Sequence, residues 1–165
     1  MNPSPASMIR VNQAGEYGAK RIYEGQLAVL KNTPSAPLLE HMKAQELEHL
    51  EKFNTLLVHN QVRPTLLQPL WHVAGYALGV ATGLLGERAA MACTVAVEEV
   101  IDDHYESQLT HLGDSEPDLS ELIYTCQREE REHRDLAAEH SSSYPVMTHA
   151  IKAASRFAIW CSTRL

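Results

Sequence analysis

Four glutamates and two histidines fall on helical faces that otherwise carry apolar side chains. This feature restricts the fold of the chain most. Glu-x-x-His occurs twice, as Glu46-Leu47-Glu48-His49 and Glu130-Arg131-Glu132-His133. On a helix, positions i and i+3 share a face, so each pair can grip one metal ion. With 16 glutamates and 9 histidines in 165 residues, chance alone supplies about one such spacing. The placement carries more information than the count. Glu46 and His49 lie within a stripe formed by Leu39, Met42, Phe53 and Leu57. Glu130 and His133 interrupt a second stripe of Leu119, Ile123, Cys126 and Leu136. Carboxylates facing a core are costly unless paired, protonated or bound to metal.

Two further helices each place one glutamate inward. Glu16 lies in line with Ala19, Tyr23, Leu27 and Leu30, and Glu98 with Met91, Val95, Ile101 and Tyr105. Each of these glutamates is followed seven residues later by a tyrosine, Tyr23 or Tyr105. The chain therefore reads as a duplicated helical hairpin, each half giving Glu and then Glu-x-x-His. No stretch alternates convincingly enough for a strand. Prolines and glycines punctuate core helices at about 8–32, 36–60, 88–112 and 117–141, with accessory helices at about 66–85 and 145–163. At 165 residues, one domain is expected.

This pattern predicts an all-α fold, a ferritin-like four-helix bundle with two additional apolar helices. The ligand set matches that of ferritin-like di-iron carboxylate bundles, one Glu from each of two helices and Glu-x-x-His from each of two others. Four carboxylates and two imidazoles suit iron or manganese. If these groups merely paired with one another, four acids and two histidines would leave buried negative charge uncompensated.

The segment from Pro64 to Gly86 has no formally charged residue. A bilayer span, a buried core helix and a helix lying on a membrane face all fit it. Gly75, Gly79 and Gly83 repeat every four residues and permit close helix approach. The formal net charge of −7 argues against nucleic acid as the main partner. Cys93, Cys126 and Cys161 form no CxxC pair and fit a reducing compartment. No signal peptide is visible between Met1 and Met8.

Four longer strings add a resemblance. They are IRVNQAGEYGA from Ile9, RPTLLQPLWHVAGYALG from Arg63, MACTVAVEEVIDDHY from Met91 and RFAIWCSTRL from Arg156. Over residues 8 to 165 the chain closely resembles the demethoxyubiquinone hydroxylase family. The resemblance implies a membrane-associated di-iron monooxygenase of ubiquinone biosynthesis, using O2 and a reductant to hydroxylate the ring of a polyprenyl demethoxyquinone. It places the six ligands of two iron ions on Glu16, Glu46, His49, Glu98, Glu130 and His133, the same set reached from the pattern. Glu99 points about 100° away from Glu98 and is the weaker candidate.

The reductant is expected to be NADH or the quinol form of the substrate. A nicotinamide contact would be shallow or indirect, because AGEYGA lacks GxGxxG spacing. Tyr105 and His104 are candidates for proton or electron delivery. Asp102 is a candidate to orient a ligand imidazole, and Arg10 and Arg63 to meet the quinone head. His41, His59 and His111 read as surface positions. Leu66–Leu85, with Trp71 and Tyr76, and the last helix, with Phe157, Ile159 and Trp160, are expected to touch lipid. The expected location is peripheral, on the cytoplasmic face of a bacterial inner membrane or the matrix side of a mitochondrial one. A lipid-binding accessory protein and a second copy of the chain are the further expected partners. A rubrerythrin-like peroxidase would bring a CxxC module, and an iron-storage shell would carry more polar outer faces.

Overall fold

A computed structural model describes residues 3–165. Within them the chain forms six α-helices and no strand. These are α1 (Pro5–Leu30), α2 (Ala36–His59), α3 (Gln68–Leu84), α4 (Glu87–Leu112), α5 (Pro117–His140) and α6 (Pro145–Arg164). Local sequence sets the ends. Ser4 caps α1 by accepting a hydrogen bond from the Ser7 N–H at 3.2 Å, and Pro5 follows it. Prolines also occupy the first turns of α2, α3, α5 and α6. Gly86 joins α3 to α4 at φ +105°, a conformation that L side chains rarely adopt.

The hairpins α1–α2 and α4–α5 make the four-helix bundle, and α3 links them. Two apolar layers fill the bundle. At one end Met8, Ile9, Phe53, Leu57, Leu119 and Ile123 pack together. At the other, Leu27, Leu30, Leu39, Met42, Ala90 and Met91 do so. Each fully buried Leu, Met or Phe contributes about 1.5–3 kcal/mol of transfer free energy. The glutamates and histidines form a polar layer between the two. Leu136 departs from the expected stripe. It is 37% exposed, and Ala137 takes the buried position.

Helix α3 packs along α1, while α6 crosses α4 and α1. The contact between α1 and α3 is backbone against backbone. A Cβ on Gly79 would lie 2.0 Å from the Ile22 carbonyl oxygen, and one on Gly25 2.2 Å from that of Tyr76. The glycine repeat thus brings α3 against its own chain. The opposite face stays open, with Leu66, Leu70, Val73 and Leu84 exposed. Of the three readings of this segment, a buried core helix does not fit these exposures. At 17 residues α3 rises only about 26 Å, and among the described residues no helix is long and apolar enough to cross a membrane.

Candidate metal centre

The polar layer gathers all six residues singled out by the pattern. Ligand atoms of Glu16, Glu46, His49 and Glu130 lie within 4.8 Å of one another, as do those of Glu46, Glu98, Glu130 and His133. The two groups share Glu46 and Glu130. All six side chains are at least 97% buried. Both histidines direct Nδ1 inward. His49 Nδ1 is 3.0 Å from Glu130 Oε1 and 3.5 Å from Glu16 Oε2. His133 Nδ1 is 3.0 Å from Glu130 Oε2 and 3.4 Å from Glu46 Oε1.

Electrostatics divide the acids. Burial pushes Glu46 and Glu98 well above the ordinary carboxylate range, and neighbouring carboxylates push them further. Glu130 is also buried, yet hydrogen bonds from His133 and His49 pull it down to about 2. Burial disfavours a charged His49, but its bonds to Glu130 and Glu16 outweigh that and raise it to about 11. Both oxygens of the fully buried Glu46 have no hydrogen-bond partner. An orphaned carboxylate in an interior is expensive unless something fills the gap. A cation held by these groups would answer that orphaned carboxylate, so the donor set fits the metal binding that the pattern implies.

The hydrogen bonds around the layer cross between the hairpins. Tyr105 Oη donates to Glu16 Oε1, and Tyr23 Oη donates to Glu98 Oε1 at 3.1 Å. Burial and the facing glutamates raise both phenols, so they stay neutral donors. Outside the layer, His49 Nε2 donates to Glu129 Oε2 at 2.5 Å, and His133 Nε2 donates to Gln45 Oε1 at 2.8 Å.

The outer nitrogens of the histidines rest on Glu129 and Gln45, not on Asp102, the candidate offered by its spacing from Glu98. Asp102 instead engages Arg131 Nε at 2.8 Å and Arg134 Nη1 at 3.0 Å, because it faces α5 on the outer side of the α4–α5 contact. The missed signal was positional. Residues 45 and 129 each precede a histidine by four, one helical turn, and each serves the histidine of the other hairpin.

Other candidates lie elsewhere. His104 points away from the layer and bonds the Gln108 amide at 2.9 Å, and burial lowers it to about 4. Arg10 Nε donates to the Arg63 carbonyl at 3.1 Å, tying α1 to the 62–67 connection, and Arg63 Nη1 donates to the Leu165 carbonyl, tying that connection to the C-terminus. Glu99 pairs with Lys152 on α6. His41, His59 and His111 are exposed. Cys126 Sγ lies near Glu16 and His49. Burial, then Glu16 and Glu130, push its thiol up and favour the protonated form.

On the far side of α1 and α4 from the histidines runs an apolar cavity of about 160 Å³. Gly15, Gly18, Trp71, Leu78, Val97 and Ala158 are among its lining residues. Gly15 and Val97 directly precede the Glu16 and Glu98 main-chain positions.

Comparison with known proteins agrees with this architecture. Residues 4–162 match the model of the family described as "Ubiquinone biosynthesis protein COQ7". The "3-demethoxyubiquinol 3-hydroxylase" of Rhodospirillum rubrum is 53% identical over 99% of this chain and 82% of that protein. The human "NADPH-dependent 3-demethoxyubiquinone 3-hydroxylase, mitochondrial" is 49% identical over 96% of this chain and 76% of its own length. The "5-demethoxyubiquinone hydroxylase, mitochondrial" of Saccharomyces cerevisiae is 42% identical over 96% and 77%. The chain belongs to the ubiquinone biosynthesis protein COQ7 family.

Proposed function

We propose that this chain is a di-iron monooxygenase that hydroxylates the ring of a polyprenyl demethoxyquinone, with Glu16, Glu46, His49, Glu98, Glu130 and His133 as the metal ligands. That it is a hydroxylase of ubiquinone biosynthesis follows from its family. The observation that carries the finer reading is the pair of overlapping donor groups around Glu46 and Glu130. In the balanced reaction, a ring C–H, O2, two electrons and two protons give a ring C–OH and water. Bound iron would supply the activation of O2 and the exchange of electrons.

The residues of the chain do the rest. Glu46 and Glu130, common to both groups, would be shared between the two ions. Glu16 with His49, and Glu98 with His133, would hold one ion each. Tyr105 and Tyr23 donate to Glu16 and Glu98 and so fix the carboxylate faces presented to the metal. The apolar cavity offers a dry site for the quinone beside the α1 and α4 glutamates. The two accessory helices that line it, α3 and α6, also carry the exposed Leu70, Val73, Phe157 and Trp160, with Arg164 over the Trp160 ring at 4.4 Å. That face suits a peripheral site on a membrane, where an insoluble tail is collected. The reductant is a reduced nicotinamide dinucleotide, the class named for the human relative. A lipid-binding accessory protein and self-association use the same apolar face.

The test is product analysis after iron-loaded protein meets a demethoxyquinone in liposomes, with O2 and reduced nicotinamide. Hydroxylated quinone and co-sedimentation with the liposomes are expected. No product from protein carrying two irons would sink the reading.

Two outcomes follow. Gly18 lines the cavity, and a Cβ there meets nothing within 4 Å. Gly18→Leu should therefore lower kcat/KM for the polyprenyl substrate about tenfold or more while leaving iron content unchanged. Metal loading at pH 7 should also release protons. His49, at about 11, is protonated there and must lose its Nδ1 proton, and the raised Glu46 and Glu98 add to the release. Metal affinity should accordingly climb with pH through neutrality. Calorimetry in buffers of different ionisation enthalpy reads the proton count, and a count of zero would contradict the assignment.

A further inference from the structure

The duplication gives both metal positions the same ligand types, but it gives the outer nitrogens of their histidines different acceptors. Glu16 answers to Glu98, Tyr23 to Tyr105, Glu46 to Glu130 and His49 to His133. The remaining pair is residues 45 and 129, each one place before the first glutamate of Glu-x-x-His. It holds an amide in one half and a carboxylate in the other. Both side chains do the same job, accepting from the outer nitrogen of a histidine. We infer that Glu129 and Gln45 make the two metal positions inequivalent, Glu129 rendering His49 the stronger donor and its position the tighter one. This inference rests on the di-iron reading above.

The physical argument concerns charge at the far end of an imidazole. An Nε2–H held by a carboxylate leaves more electron density on Nδ1 than one held by a neutral amide. The His49 contact is also the shorter, 2.5 Å against 2.8 Å. Arg128, the other neighbour of Glu129, is 3.7 Å away and 60% exposed, so solvent screens its competing claim. Both inner nitrogens face Glu130 at the same 3.0 Å. The shared Glu130 therefore does not distinguish the two histidines, whereas the outer acceptors do; Cys126 Sγ, near Glu16 and His49, is held in its neutral form and adds no charge there. Glu129 and Gln45 are positioning residues, since each acts through a histidine and neither belongs to the inner ligand set.

The experiment is anaerobic Fe(II) titration of the full metal-free chain, followed by Mössbauer spectroscopy at one equivalent of 57Fe. The native chain is expected to bind in two steps, with the first equivalent giving a single quadrupole doublet. Glu129→Gln should weaken the first step about ten- to a hundredfold, merge the two and yield two doublets. Gln45→Glu should merge them from the other side, by tightening the second step. The double exchange should restore two separated steps, an outcome that simple damage to the fold does not produce. Two indistinguishable steps in the native chain, or a Glu129→Gln isotherm like the native one, would overturn the inference and leave the di-iron reading standing. Failure of the native chain to bind iron at all would overturn both.

Discussion

Glu130→Ala is expected to yield a helical chain that holds fewer than two iron ions and forms no hydroxylated quinone. Glu130 belongs to both donor groups and bonds both inner histidine nitrogens. Its loss should exceed the about ten- to hundredfold effect typical of an outer partner of a ligand. The metal-free chain should suffer as well. Glu130 is the acid held down to about 2, and its removal breaks a buried charge pair with His49, a change that costs about 3–5 kcal/mol.

Glu46→Gln gives the opposite signature. It too should abolish metal binding, yet its carboxylate has no hydrogen-bond partner and sits well above its ordinary range. A raised folded-state value contributes stability below the unfolded value of 4.5, and this is lost as the pH rises through the folded one. An uncharged amide escapes that loss. Glu46→Gln should therefore melt at or above the native temperature at pH 7 without metal, while Glu130→Ala melts below it. Thermal melts after chelation, with metal analysis, check both. Equal destabilisation by the two variants would show that the layer is not organised around Glu130.

The second large effect concerns the contact of α1 with α3. Gly79→Ala should destabilise the chain by about 1–3 kcal/mol or more, because its methyl would lie 2.0 Å from one backbone atom and 2.9 Å from the next. Backbone cannot rotate aside as a side chain can, so the helices must part. Because α1 carries Glu16, that displacement should also reduce hydroxylation. Gly18→Ala is the control. It lies on α1, the helix that α3 packs against, with open space around its own Cβ position, and should stabilise by about 0.5–1 kcal/mol through helix propensity alone. A denaturant midpoint unchanged in Gly79→Ala would exclude the close approach.

Much of this was legible in the sequence, for identifiable reasons. Proline at helix starts and Gly113 at the end of α4 are local signals, and the observed helix ends lie within three residues of those expected from them. A charged group inside an apolar stripe is also local, which exposed Glu46, His49, Glu130 and His133 before any contact was known. Partners across helices were not legible. Asp102 sits one turn from Glu98, yet its neighbours are Arg131 and Arg134, on a helix whose rotation no spacing within α4 encodes. His104 adjoins Tyr105 in sequence but points about 100° away from it, as successive helical residues do. Arg10 and Arg63 are held by backbone carbonyls far away in sequence, those of Arg63 and Leu165 respectively.

The crossing of hydrogen bonds between the hairpins has a consequence for synthesis. Tyr23 and Glu98 are 75 residues apart, His49 and Glu129 80, Gln45 and His133 88, and Glu16 and Tyr105 89. A chain emerging from the ribosome presents Glu16, Glu46 and His49 with none of these partners yet made. The first hairpin must wait, its acids wet or protonated, until the second arrives. A metal ion met in that interval would find only half of the proposed ligands, so the full donor set comes together in one late step, when the two hairpins dock.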